Sequence, residues 1–297
     1  MRAPRGVAAS GDRSAGAFAL QWSGSMAGMP STPDPLQPRP GRVAGVARWV
    51  LAHLTLVLTA LLGGAVVLAL ARAAAEVYES LAERDDLAAL DQPVLEAAVR
   101  WRTPALEDWV TRFTDLGATV GMTALATVLA LLAARLWRSW TPVLLMVLAA
   151  AGSLAITMAG KDLLGRTRPP VELAVPPLES SPSFPSGHTL NATALVGMAA
   201  YLLVLVLRST AARLGTVAAA GAFVVAMGLS RVFLGHHWLT DVVAGWLLGL
   251  AWLATVVTAH RLAVAVGRGQ RVSLPPSPAA RPASSRATGT RNGEQET

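Results

Sequence analysis

Cysteine is absent from the 297 residues, and lysine occurs only once, at Lys161. With no thiol, the chain has no disulfide framework, no thiolate metal site and no cysteine nucleophile. Charge is scarce too: 14% of the residues are Asp, Glu, Lys or Arg, where an ordinary soluble domain has roughly 25%. Aromatic residues make up 5% and form no stripe interleaved with basic groups. The formal net charge of +7 therefore does not point to nucleic acid as a partner. What the chain does have is hydrophobic residues, 53% of the total. Several apolar runs reach the ~20 residues that cross a ~30 Å hydrocarbon core. The composition is that of an integral membrane protein.

Residues 1–42 and 266–297 are rich in Gly, Pro, Ser, Ala and Arg without sustained periodicity, and are read as disordered tails. The apolar patch 15–20 is too short for the core of a signal peptide. Met26 and Met29 are alternative starts. Between the tails, residues 43–265 form one domain, an all-α bundle of six transmembrane helices. The predicted spans are 49–71, 116–134, 142–160, 190–207, 214–229 and 239–259. The fifth is short and is expected to continue toward Ser230 and Arg231. Gly245 and Gly249 in the sixth are a small-xxx-small pair, which lets helices approach closely.

Charge sets the expected topology. Arg39, Arg42 and Arg48 precede the first span, Arg135 and Arg138 follow the second, Arg208 and Arg213 follow the fourth, and Arg261, Arg268 and Arg271 follow the sixth. These groups share one side of a six-span chain, and an excess of arginine marks the cytoplasmic side. Both termini are then cytoplasmic in a multi-pass protein of the cell membrane. The connection after the first span carries Glu76, Glu79, Glu83, Asp85, Asp86, Asp91 and Glu96, which suits the outer face. Within it, residues 104–113 are expected to form an interfacial helix with Trp109 at headgroup level.

Alternation brings three polar stretches to that same extracytoplasmic face. The first runs from Lys161 to Arg168 and Pro169, the second is Pro185-Ser186-Gly187-His188, and the third runs from Ser230 and Arg231 through His237 to Asp241. Lys161, Arg168 and Arg231 are cations without a comparable set of acids beside them. Such a cluster suits phosphate, because a guanidinium fork matches two phosphate oxygens and an ammonium acts as a point charge. Ser186 stands at an expected helix N-cap, where free N–H groups beside Gly187 favour an anion. His237 and Asp241, four apart at the start of span six, are expected to share a helix face. The carboxylate would keep one ring nitrogen protonated and leave the other as a nucleophile. His188 would be the general acid. Phosphoryl transfer needs little beyond such positioning and charge.

Each feature has a plainer explanation when taken alone. Arginines at helix ends commonly anchor in the headgroup region, and Asp241 suits the positive end of a helix dipole. His236 is read as structural or interfacial, His53 and His260 as structural, and Glu172 and Glu179 as solvated loop charges. Asn191-Ala-Thr193 matches a glycosylation sequon but falls at a helix start.

Taken together, in order and with full spacing, the stretches resemble the K-x6-RP, PSGH and SR-x5-H-x3-D motifs of the type 2 phosphatidic acid phosphatase superfamily, the lipid phosphate phosphatases. The motifs span about 80 residues, and the six-helix pattern extends the resemblance over roughly 49–260. The resemblance implies that His237 forms a phosphohistidine, that Asp241 orients it, and that His188 protonates the leaving group. It implies that Lys161, Arg168, Ser186, Gly187 and Arg231 hold the phosphoryl oxygens, with no cofactor and no metal. The family also includes soluble vanadate-dependent haloperoxidases with a similar pocket, but six spans do not fit them. The expected activity is hydrolysis of a lipid phosphate of the outer leaflet, such as a polyprenyl diphosphate, phosphatidic acid or phosphatidylglycerol phosphate. A phosphotransferase using an acceptor hydroxyl is the alternative enzyme. A lipid-phosphate binder or transporter is the alternative outside enzymes, although transporters usually place polar groups near the midplane.

Overall fold

The structure, a computed structural model, describes residues 42–83 and 87–273. These form two short 3-10 helices, no strand and eight α-helices: α1 (Arg42–Glu83), α2 (Asp91–Arg100), α3 (Pro104–Asp115), α4 (Thr119–Trp137), α5 (Thr141–Leu164), α6 (Gly187–Val206), α7 (Thr210–Phe233) and α8 (Leu239–Ser273). Six of them, all but α2 and α3, are long and apolar enough to cross a membrane. The chain is thus an all-helical, multi-pass membrane protein.

The helix ends differ from the expected spans where local chemistry decides them. α1 continues past residue 71 to Glu83, so Glu76 and Glu79 lie on a helix rather than in a loop. Glutamate is a good helix former, and a helix leaving the bilayer needs no break there. α3 covers the stretch 104–113 expected to be a helix. Its N-cap Thr103 accepts from the Leu106 N–H at 3.3 Å, and Pro104 occupies the first turn. α5 runs through Lys161 to Leu164 and stops at Gly165, whose φ of 54° completes a left-handed C-cap. α7 includes Ser230 and Arg231. α8 continues eight residues beyond the expected boundary at 265. Apart from Arg42 and 266–273, which lie on helices, the tails read in 1–42 and 266–297 lie outside the described residues.

α6 is the central helix. Its Ala192, Leu195, Met198 and Leu202 pack with Met122 and Ala126 of α4, Leu145, Met146 and Ala149 of α5, Met227 of α7 and Val256 of α8. In lipid the hydrophobic effect does not drive this packing, so close approach matters most. A Cβ on Gly249 would lie 2.6 Å from Thr193 Cβ, and one on Gly245 3.0 Å from Thr189 Cβ. The expected small-residue pair therefore seats α8 against α6. A second cluster joins Val77 near the end of α1 to Phe184 and Ala244. Large apolar side chains such as Leu61, Leu68, Val128 and Leu144 remain exposed on the helices, in an amount that lipid, not water, would cover.

Candidate active site

The ends of α5 and α7 and the starts of α6 and α8 meet at one end of the bundle. The 165–186 connection folds over them, closed on itself by Ser183 N–H to Arg166 O at 2.8 Å and tied to the residue after α7 by Val175 N–H to Leu234 O at 2.9 Å. Gly235, at φ 73°, makes the turn from α7 to α8, and a Cβ there would meet the Leu173 carbonyl. Arg102, after α2, donates to Phe233 O at 2.6 Å and to Leu173 O at 2.5 Å, which locks this turn to the loop.

A cavity of about 520 Å³ opens at this end. Lys161, Gly187, His188 and His237 all line it, together with Glu179 and Ser181. His237 is 1% exposed and Asp241 is fully buried. The two do not share a helix as expected, because α8 begins at Leu239 and His237 belongs to the turn before it. They still meet: His237 Nδ1 lies 3.5 Å from Asp241 Oδ2. Asp241 also accepts the Trp238 N–H at 2.9 Å, so the carboxylate caps α8 while facing the histidine. The other ring nitrogen, Nε2, lies 3.2 Å from Arg168 Nη1. Burial pushes the His237 ring down to about 4, against the upward pull of Asp241, so the ring is neutral near pH 7.

Ser186 is the N-cap residue of α6, as expected. Its hydroxyl makes no cap bond; it accepts from Thr189 Oγ1 at 2.9 Å, and its N–H is taken by Asp241 O at 3.1 Å. The N–H groups of Gly187 and His188 lie in the first turn of α6 and have no acceptor within the helix.

The expectation of cations without neighbouring acids is overturned. Glu179, read as a solvated loop charge, bridges two of them: its Oε2 is 2.7 Å from Arg168 Nη2, and its Oε1 is bonded to Arg231. Burial favours the neutral acid, but Arg231 and Arg168 outweigh it and hold the Glu179 carboxyl at about 2. Arg231 is 2% exposed and also donates to Thr114 Oγ1 at 3.1 Å. Lys161 Nζ donates to Ser181 Oγ at 3.0 Å and to Pro182 O. Arg168 Nε donates to Ser181 O at 2.7 Å, and Nη1 to His236 O at 2.6 Å.

Sequence reasoning missed a second layer behind the histidine. Arg166 Nη1 is 2.6 Å from Asp241 Oδ1, and Nη2 is 2.6 Å from Asp91 Oδ2. Asp91, read as an outer-face charge, is buried and also accepts from the Thr240 N–H at 2.9 Å and hydroxyl at 2.7 Å. Ser183 donates to Asp241 Oδ2 at 2.5 Å and lies 3.3 Å from His237 Nδ1. No spacing signals these pairs, since Arg166 and Asp91 are 75 residues apart. His236 matches its structural reading: it is buried, with Nε2 at 2.6 Å from Val175 O. His53 and His260 lie outside the cluster, against Trp49 O and Tyr201. Among the described residues, no group of three His, Cys, Asp or Glu is placed to hold a metal ion.

Fold and site together describe a class, a multi-pass helical membrane protein with two histidines and three cations gathered at one end of its bundle. The comparisons place it more narrowly. A family model described as the PAP2 superfamily matches residues 141–264. Phosphatidylglycerophosphatase B of Bacillus subtilis (strain 168) is 35% identical over 161 residues, which cover 54% of this chain and 78% of that protein. The crystal structure of a transmembrane PAP2 type phosphatidylglycerolphosphate phosphatase from Bacillus subtilis superposes with a TM-score of 0.58 at 28% identity, over 67% of this chain and 96% of that one. The chain belongs to the PAP2 superfamily.

Proposed function

We propose that the protein is a metal-independent lipid phosphate phosphatase working through a phosphohistidine on His237. The observation that carries this reading is the setting of that ring. Its Nδ1 faces Asp241 and Ser183, and its Nε2 lies beside Arg168 in a cavity shared with His188 and Lys161. A proton kept on Nδ1 leaves the Nε2 lone pair for phosphorus.

In the reaction so read, a phosphoryl group takes the place of the Glu179 carboxylate between Arg168 and Arg231, with Lys161 and the Gly187 and His188 N–H groups on its remaining oxygens. Nε2 bonds to phosphorus as the bond to the lipid oxygen breaks, and protonated His188 gives its proton to that oxygen. His188 then takes a proton from water, which attacks the phosphohistidine and releases phosphate. Fixed cations around the developing charge supply most of the rate enhancement. Ser186 acts by tying the start of α6 to Asp241 of α8 through its backbone N–H rather than by touching phosphate through its hydroxyl.

The six-helix unit carries the whole reaction, with the two tails outside it. Arginine placement supports cytoplasmic termini in the cell membrane and a site at the extracytoplasmic face, where the substrate is a lipid phosphate of the outer leaflet. Phosphatidic acid, phosphatidylglycerol phosphate and a polyprenyl diphosphate are the candidates. The test is phosphate release from these lipids by protein purified in detergent with EDTA present. Activity in the chelator and its loss in His237→Ala are expected. Hydrolysis surviving in that variant would sink the phosphohistidine, and loss with EDTA alone would sink the metal-free mechanism.

A further inference from the structure

The cavity does not stop at the histidines. On α5 its wall is Lys161, Thr157 and Ser153, at four-residue steps; on α6 it is His188, Asn191 and Leu195. Each set is one helix face running inward. Past Ser153 the lining on α5 turns apolar, with Ala150 and Val147, and Leu154 flanks Ser153. Val147 and Leu154 are more than half exposed on the surface of the bundle, so the groove opens sideways toward lipid tails.

Between the charged mouth and this apolar exit sits one polar pair. Ser153 Oγ donates to Asn191 Oδ1 at 2.8 Å, its one proton shared with Ala150 O of its own helix 3.1 Å away. The Thr157 hydroxyl is taken by Ser153 O at 2.8 Å. Asn191 Nδ2 has no partner among the described residues, although the side chain lines the cavity. Asn191 lies three residues beyond His188, about 4.5 Å deeper at ~1.5 Å per residue. A bare hydrocarbon chain at this depth would leave the amide donor unmet, and burying an unpaired amide is costly. A glycerol backbone presents ester or ether oxygens a few bonds beyond its phosphate, where this donor waits.

We propose that Asn191, held by Ser153, is a specificity-determining residue that donates to an ester or ether oxygen next to the phosphate and so favours glycerolipid phosphates. The assignment rests on the phosphatase reading above. It is tested with two substrates of equal tail length, a diacylglycerol phosphate and a long-chain alkyl phosphate that has no oxygen beyond the phosphate group. Loss of one hydrogen bond predicts that Asn191→Leu lowers the glycerolipid-to-alkyl ratio of kcat/KM about tenfold. The change falls mainly in KM, and Ser153→Ala gives a smaller change in the same direction. An equal loss on both substrates, or an unchanged ratio, overturns the proposal. If Asn191→Leu fails to fold, as judged by melting in detergent, Asn191→Asp keeps the shape and removes the donor; its ratio must fall in the same way, and an unchanged ratio overturns the proposal. Should the wild type hydrolyse neither lipid, the phosphatase reading fails by itself. The same ratio, read as binding of the two lipids, then decides the role of Asn191.

Discussion

The Lys161 ammonium is held between the Ser181 hydroxyl and the Pro182 carbonyl while lining the cavity. A compact cation with rotatable donors suits that place, and a planar guanidinium on a longer fork does not. Lys161→Arg is therefore expected to keep the charge and the fold but lower kcat about tenfold, the size of one misplaced charge-assisted hydrogen bond, measured as phosphate release in detergent. His237 sets the pH response. A proton on Nε2 removes the lone pair, so kcat/KM should fall as pH drops through about 4, not through the ordinary histidine value of 6.5. Stability follows the same sign: below 6.5 the unfolded chain binds a proton that the folded ring refuses, so stability declines as pH falls and levels off only near 4. An acid limb near 6.5 in the pH–rate profile would contradict the buried, neutral ring.

At the scale of elements, α2 and α8 are joined through side chains rather than packing alone. Asp91 at the start of α2 holds Arg166 and Thr240, and Arg166 in turn holds Asp241. Asp91→Asn removes the charge facing Arg166 and frees its guanidinium to pull on Asp241. The expected result is a drop of about tenfold in kcat with KM little changed, since the carboxylate behind the proposed nucleophile moves while the proposed phosphate ligands stay. A rise in KM alone would show that Asp91 acts on binding instead. The six spans were legible because bilayer thickness dictates the length of an apolar run. Their ends were less so: α1 outruns its apolar stretch, and α8 starts after His237 because Trp238 and Asp241 form its cap. Motif spacing identified Lys161, Arg168, His188, Arg231, His237 and Asp241 as one group. Glu179, Arg166, Asp91 and Ser183 carried no such mark, because an ion pair belongs to two segments and neither one announces it.

For the whole molecule, the proposed orientation makes a direct prediction in a chain with no native cysteine. A cysteine in place of Leu178, exposed on the 165–186 connection, should react with a membrane-impermeant thiol reagent in intact cells. One in place of Arg208, between α6 and α7, should not; the reverse pattern would put the site in the cytoplasm. Composition and hydropathy were enough to establish a six-span helical membrane protein, and three spaced motifs marked where its polar chemistry lies. Those properties depend on runs and intervals along the chain, which the bilayer and the helix repeat convert into structure. Only the tertiary structure decided what each polar group faces: Glu179 between two arginines, Arg166 behind Asp241, and Asn191 with a free donor in the groove. These depend on α8 seating against α6 through Gly245 and Gly249 and on the loop folding back over four helix ends, long-range contacts that no local pattern encodes.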